Sequence, residues 1–500
     1  MCARLYSALI LFLLAAGLAH AATVVDLDGK GWTFQTTLDQ ESHPVVVPHC
    51  WILEKGYEKY VGHALYERDF DAPAVESEQV VRLRFDAVYD VAQVWINGKR
   101  VGTHHGGYST FEYDITKLLH PGRNHLLVDV DNTPTLTSIP ALATSPAPSG
   151  ALYGSAGRSS IAGWMPYGGI VRPVSLIISD AVYFKNVKID AKPDLQTGAA
   201  AITVRVQLHN GGSAVKIATI GGEVAGLKTA FPSVRVAPNS DASVTWTRQL
   251  RNAHLWSVHD PYLYSVSLHV PEDTFQTHLG VRTIEVRGTE LLLNGRAVHL
   301  FGANRVSEDE KEGLRESDAI IERDMSDMLA DNMRMMRIAH YPQVKALLDF
   351  ADEHGMLIIP EAGNWNMSAW QMADPGIRTL WKQQMQEMME ADWNHPSVIA
   401  WSVGNEYESQ TKEGIAWTRD MRAFTLGLDS TRLITFASRH TFDPIVKTGV
   451  DEASQYSDFV SINMYGDYAK HLERAHELYP NKPIFVTEFG RMGEPGLHDP

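Results

Sequence analysis

The sequence predicts a multidomain chain: a jelly-roll β-sandwich, a smaller immunoglobulin-like β-sandwich, and a (β/α)8 TIM barrel lacking its last element. Three observations carry this prediction. Five hundred residues, 44% hydrophobic and 21% charged, are more than one core absorbs, so two to four domains are expected. The hydrophobic period changes near residue 290, from short alternating runs to strands that alternate with helices. In that last region, apolar strands end abruptly on amides and carboxylates.

Taken in order, the first segment is a leader. Arg4 precedes the apolar run Leu5–Leu18 and the small-x-small site Ala19-His20-Ala21, the pattern of a secretory signal peptide over residues 1–21. The run is short for a membrane anchor, and nothing after it approaches the ~18 apolar residues a spanning helix needs. Cys2 leaves with the leader, so Cys50 stands alone and no internal disulfide is expected. That suits a bacterial periplasmic or secreted protein with a large core. Losing Arg4 takes the formal charge from −16 to −17, with 43 Lys+Arg against 60 Asp+Glu and no long runs of one sign, which disfavours nucleic acid as a partner.

Residues 22–180 read as the first sandwich. Val80–Phe85, Ala92–Ile96 before Asn97-Gly98, and Leu126–Val130 before Asp131-Asn132 alternate as antiparallel strands do. The Pro/Ser/Ala-rich stretch Thr133–Ser160 reads as a long loop. Ala201–Leu208, Val215–Ile220, Ser243–Trp246 and Leu263–Val270 give residues 181–286 a sandwich of immunoglobulin size.

Residues 287–500 form the barrel region. Its expected strands are Val298–Ala303, Met335–Ile338, Met356–Pro360, Val398–Val403, Leu433–Ala437, Phe459–Met464 and Ile484–Thr487. Ile377, Leu380, Trp381, Met385, Met388 and Met389 share one helical face, and core packing accounts for them better than a functional methionine stripe. Seven βα steps suit an eight-stranded barrel without its end. The expectation is therefore of a fragment, with unpaired strand edges and little activity alone.

Barrels of this kind place their chemistry at the C-terminal ends of the strands. "HPSVIAWSVGNE" (395–406) delivers Asn405 and Glu406 there, and "PIFVTEFG" (483–490) delivers Glu488. Two carboxylates at one mouth meet the needs of glycoside hydrolysis, where one protonates the departing oxygen and the other attacks the anomeric carbon or activates water. Other strand ends add Asn304 and Arg305, then Arg337, His340 and Tyr341, then Glu361, and finally Asn463 and Tyr465. A lone Glu after a strand is usually a solvated turn residue and a lone His usually structural; the cluster argues otherwise.

These residues carry a resemblance. "VVVPHCWI" (45–52), "GHALYERDFDAP" (62–73), "VWINGKRVGTHHGGYSTFEYDIT" (94–116) and "MPYGGIVRPVSL" (165–176) resemble the sugar-binding domain of glycoside hydrolase family 2, the group of β-galactosidases, β-glucuronidases and β-mannosidases. "LWSVHDPYLY" (255–264) and "GVRTIEVRGTELLLNGRAVHLFGANR" (280–305) resemble its immunoglobulin-like domain and barrel entry. "NMRMMRIAHYP" (332–342), "NHPSVIAWSVGNE" (394–406) and "PIFVTEFG" resemble its barrel signatures, in the family's order.

The resemblance implies Glu406 as acid/base and Glu488 as nucleophile, with retention of configuration and carboxyl groups ~5–5.5 Å apart. It implies a contact of Asn405 with the sugar 2-hydroxyl. Such an acid needs a raised pKa, whereas the nucleophile must stay ionised beside a cation or hydrogen-bond donors. Arg337 is the expected charge partner of Glu488, His340 and Tyr465 are sugar contacts or supports, and Trp365 is either a stacking wall or plain packing.

The chain departs from the pattern at Val306, where galactosidase-type members have His, and at Gly163, where many members have Asp. "LLDFADEHGMLIIPEA" (347–362) and "SINMYGDYAKHLE" (461–473) look nearer to the three-domain β-glucuronidase-like branch. The Asn-x-Lys element with which glucuronidases hold the sugar carboxylate would lie beyond Pro500.

The reading is a retaining exo-β-glycosidase acting on a β-glucuronide or β-galactoside; the alternatives are a catalytically inactive carbohydrate-binding protein of the same fold and a β-mannosidase-type specificity. No G-x-S-x-G, H-E-x-x-H or G-x-x-x-x-G-K-[ST] occurs to support a serine hydrolase, a metallohydrolase or a phosphate-binding enzyme. No cofactor is required: some galactosidase members use Mg²⁺, but no ligand set here demands it. The expected partner is a carbohydrate, with no nucleic acid, no membrane after leader removal, and a homo-oligomer compatible with the sequence.

Overall fold

The computed structural model describes residues 22–142 and 166–490, apart from residues 77, 272 and 300. The leader expected over residues 1–21, most of the Thr133–Ser160 stretch and Gly163 lie outside them.

Alternating side chains build the first sandwich from two antiparallel sheets. One has six strands, in the order His43–Val47, Gly29–Thr36, His63–Asp71, Arg123–Asp131, Val91–Ile96, Lys99–His105. The other has four, in the order Thr23–Asp26, Val174–Asp180, Gln79–Phe85, Phe111–Asp114. Every second residue of Arg123–Asp131 faces inward, which is what a two-residue period gives a sheet with one covered face. Trp32, Phe34, Tyr66, Leu83 and Phe85 fill the space between the sheets. The second sandwich pairs Val182–Asp194, Ala199–Asn210 and Ser240–Leu250 in one sheet, and sets Gly221–Val224, Tyr264–Val270 and Asp273–Leu279 in the other. Val204, Val206, Trp246, Val266 and Leu268 pack between them.

Among the described residues seven parallel strands follow: β1 (Gly302–Arg305), β2 (Met335–Ile338), β3 (Leu357–Ile359), β4 (Ala400–Asn405), β5 (Leu433–Ser438), β6 (Val460–Asn463) and β7 (Ile484–Glu488). β1 to β3 and β4 to β7 are hydrogen-bonded in order, and the bridges Ile358↔Val398, Glu361↔Ser402 and Trp365↔Asn405 join the two sets. Six strands fall where the hydrophobic runs put them. The first is shifted: the run expected over Val298–Ala303 does not enter the barrel until Gly302. Before that point, Ile284–Arg287, Glu290–Leu293 and Arg296–Ala297 form a separate antiparallel meander. The register explains the late entry. Gly302 lies opposite Met335, and a Cβ there would come 1.7 Å from the Met335 carbonyl oxygen, so only glycine lets the two backbones meet.

Helices cover the outside of these strands. Pro375–Asp392 starts at Asp374, whose carboxylate accepts from the Ile377 amide, with Pro375 in the first turn. Its Ile377, Trp381, Met385, Met388 and Met389 are buried against the strands, so the methionine face is core packing. Both sandwiches grip the barrel. Glu387 of that helix accepts from Ser109 at 2.5 Å and pairs with His104 at 3.2 Å. In the second sandwich, the Ile189 amide donates to the Asn394 side chain at 2.9 Å.

Candidate active site

All the carboxylates singled out in the sequence sit at the C-terminal ends of the barrel strands, because each strand is apolar up to its last residues and polar at its mouth. Arg337, inside β2, is the hub. Its Nη1 donates to Glu488 Oε1 at 2.9 Å; its Nη2 donates to Asn405 Oδ1 at 2.7 Å and to Glu361 Oε2 at 3.1 Å. The guanidinium is buried, yet its pKa is raised: burial opposes the charge, and the facing Glu361 and Glu488 outweigh it.

Glu361 follows β3 and is fully buried. It also accepts from Ser402 Oγ at 2.5 Å and meets His340 Nδ1 at 2.9 Å. Burial alone would raise its pKa, but Arg337 and His340 hold it down at about 2, so it is an anion at neutral pH.

Glu488, the last residue of β7, has its second oxygen engaged by the Tyr465 hydroxyl. Burial and the Glu488 charge push that phenol well above its usual range, fixing it as a donor. Glu406 follows β4. Its Oε1 accepts from Asn463 Nδ2 at 2.9 Å and its Oε2 from Arg439 Nη1 at 3.3 Å. The backbone here is unusual. Glu406 has φ +50°, in the left-handed region, while its amide donates to the Ala437 carbonyl at 2.8 Å. Gly404 has φ +145° and passes within 2.9 Å of the Asn364 carbonyl as a Cβ would see it.

Asn405 closes the network. Its Oδ1 accepts from both Arg337 and Asn463, at 2.7 and 3.1 Å, which fixes the amide's orientation and leaves the NH2 group to donate elsewhere. Asn463 is itself oriented by Thr487 Oγ1 at 2.7 Å. Asn304 of β1 reaches the Thr487 carbonyl at 2.9 Å, the residue before Glu488. Trp365 is half-buried and stacks on His340 with ring centres 5.5 Å apart and planes 13° from parallel.

Two groups expected at this mouth are elsewhere. Arg305 is spent on Glu316, on Asp324 at 2.9 Å and on Gln343 at 3.1 Å, so it anchors the helix Asp318–Ala330. Tyr341 turns away to the first sandwich, where it stacks on Tyr108 at 3.8 Å. Sequence reasoning missed Ser402, Thr487 and Arg439. Arg439 carried the same signal as the others, a charged residue just past an apolar strand; Ser402 and Thr487 lie within strands and gave none. Among the described residues, no group of three His, Cys, Asp or Glu side chains converges as a metal site.

Comparisons with known proteins agree in extent with this architecture. Residues 52–177 match the family model described as "Glycosyl hydrolases family 2, sugar binding domain", residues 182–282 match "Glycosyl hydrolases family 2", and residues 284–500 match "Glycosyl hydrolases family 2, TIM barrel domain". A β-glucuronidase of Paenibacillus borealis is 25% identical over 95% of this chain and 82% of its own length. The β-glucuronidase of Rattus norvegicus is 26% identical over 88% of this chain and 70% of its own. A crystal structure of a family 2 β-galacturonidase from Eisenbergiella tayi, bound to galacturonate, superposes with TM-score 0.83 at 24% identity, covering 98% of this chain and 85% of that one.

Proposed function

This chain belongs to glycosyl hydrolase family 2 and is a glycoside hydrolase, and from that premise we propose that it is a retaining exo-β-glycosidase, with Glu488 as nucleophile and Glu406 as acid/base. The observation that carries the reading is the unequal wiring of two carboxylates at one mouth. Glu488 faces the buried Arg337 guanidinium and the Tyr465 hydroxyl, which favour a carboxylate ready to attack. Glu406 is held by the neutral Asn463 amide and, among the described residues, pairs with charge at Arg439, 3.3 Å away.

In the first step Glu406 gives its proton to the glycosidic oxygen while Glu488 attacks the anomeric carbon, forming a glycosyl-enzyme ester and releasing the aglycone alcohol. In the second, Glu406 takes a proton from water, which attacks the same carbon and frees Glu488. The NH2 group of Asn405 donates to the sugar 2-hydroxyl, a bond that strengthens as the ring gains positive charge. Trp365 and His340 form one wall for the sugar. The two glutamates supply acid and nucleophile, so no metal or cofactor is required.

For the sugar, we propose a terminal β-linked uronic acid, on the strength of the β-glucuronidases and the β-galacturonidase this chain resembles; a neutral β-galactoside is the second reading. The leader pattern of residues 1–21 supports export. The test is turnover of 4-nitrophenyl β-glucuronide, β-galacturonide, β-galactoside and β-mannoside, with NMR of the first-formed anomer. A uronide should be hydrolysed fastest, with β-configured product. Inverted product would overturn the mechanism, and a faster neutral galactoside the sugar assignment.

A further inference from the structure

The mechanism leaves the guanidinium of Arg439 without a task, and its position gives it one. Arg439 stands just past β5, between β4 with Glu406 and β6 with Asn463. It donates to Glu406 Oε2 at 3.3 Å from a single nitrogen, and its side chain is 39% exposed against 14% for Glu406. A guanidinium has five N–H donors in a planar fork, so with one nitrogen engaged on Glu406 this partly exposed group keeps donors for a further partner. Its base is fixed. Ser438 donates to the fully buried Glu452 at 2.9 Å, while the His440 amide and the Thr441 hydroxyl donate to Ser438 at 3.1 and 3.2 Å. The neighbouring His440 ring is already paired with Asp443 at 2.8 Å. The backbone that carries Arg439 is thus held on both sides.

The chemistry decides which part of a substrate it meets. An acid that protonates the glycosidic oxygen must lie beside the departing group, so a guanidinium touching that acid's carboxyl is within one sugar ring of the aglycone. Glu488, beneath the anomeric carbon, is engaged instead by Arg337 and Tyr465. A planar carboxylate is the partner the free edge of Arg439 matches best. We propose that Arg439 selects an acidic aglycone, a uronic acid whose carboxylate binds the exposed edge of the guanidinium. The proposal rests on the assignment of Glu406 as acid/base. It makes the natural substrate a glycan with acidic residues on the leaving-group side of the bond cleaved.

The test compares two disaccharides with the same terminal β-linked sugar, one ending in galacturonic acid and the other in galactose. The wild-type enzyme should favour the acidic aglycone in kcat/KM by about ten-fold at low salt, the scale of one charged hydrogen-bonded pair. In Arg439→Gln the ratio of the two kcat/KM values should fall to about one, and in Arg439→Lys it should be intermediate. Reading the ratio cancels any effect of the substitution on Glu406. Calorimetric binding of both disaccharides to Glu488→Gln repeats the comparison without turnover. Preferential binding of the acidic disaccharide together with wild-type enzyme that hydrolyses neither disaccharide nor any aryl β-glycoside would overturn the proposed acid/base and nucleophile roles and leave Arg439 standing. Equal affinities, or a preference that survives in Arg439→Gln, would overturn the role of Arg439.

Discussion

Arg337 sits 2.9 Å from Glu488, and the same guanidinium holds Asn405 at 2.7 Å and the buried Glu361 at 3.1 Å. One side chain thus aligns groups carried by β4, β7 and the end of β3. Replacing it with methionine leaves Glu361 charged and buried without its cation, which should cost about 3–5 kcal/mol of stability. Arg337→Met should therefore lower both the thermal midpoint and kcat, whereas a purely local role would lower kcat alone. Calorimetric melting alongside steady-state assays separates the two.

The two glutamates should fail differently. Glu488→Ala should abolish turnover of every substrate. Glu406→Ala should spare the first step for aryl glycosides with acidic phenols, which need little protonation, and lose roughly 100-fold or more on alkyl glycosides. Equal losses of glycosylation rate on both, measured by the burst of phenol, would remove Glu406 from the role of acid.

Tyr465→Phe removes one of the two donors that hold Glu488. The carboxylate should then be less well positioned, and kcat should fall by about ten-fold or more, with a smaller change in KM. A change confined to KM would make Tyr465 a sugar contact only.

Acid should reach the site through Glu361. Its folded pKa of about 2 lies below the ordinary 4.5, so the stability it contributes is present above about pH 4.5 and is lost as pH falls towards 2. Urea unfolding of wild type across that window should show the loss. In Glu361→Gln, already less stable at neutral pH, the same stretch of the curve should be flatter.

Much of this was legible because strand ends announce themselves: an apolar run that stops at Asn405-Glu406 or at Glu488 can only put those groups at the mouth of the sheet. What pairwise pattern could not show was direction. Tyr341 looks like His340 in a linear reading, yet it packs on Tyr108 from a different domain, a contact more than 200 residues apart in sequence that no local period encodes. Arg305 likewise reads as a mouth residue until Glu316 and Asp324 claim it. The late start of β1 was hidden because Val298, Leu300 and Phe301 read as part of a strand, whereas the pairing begins at the close approach of Gly302 to Met335. Ser402 and Thr487 were invisible for a related reason: buried hydroxyls inside strands leave no mark on hydrophobic patterning, and their value lies wholly in the carboxylate or amide they orient.

The left-handed backbone at Glu406 sets durability against turnover. An L-residue with a Cβ pays about 1 kcal/mol to sit at φ +50°, and glycine at the same position would not. Glycine at 406 would relieve that strain while losing the hydrogen bonds from Asn463 and Arg439, and with them the group proposed as proton donor. A thermostabilised version of this enzyme is better sought on the outer helices, because a library screened only by melting temperature is blind to any work the strained residue at 406 does.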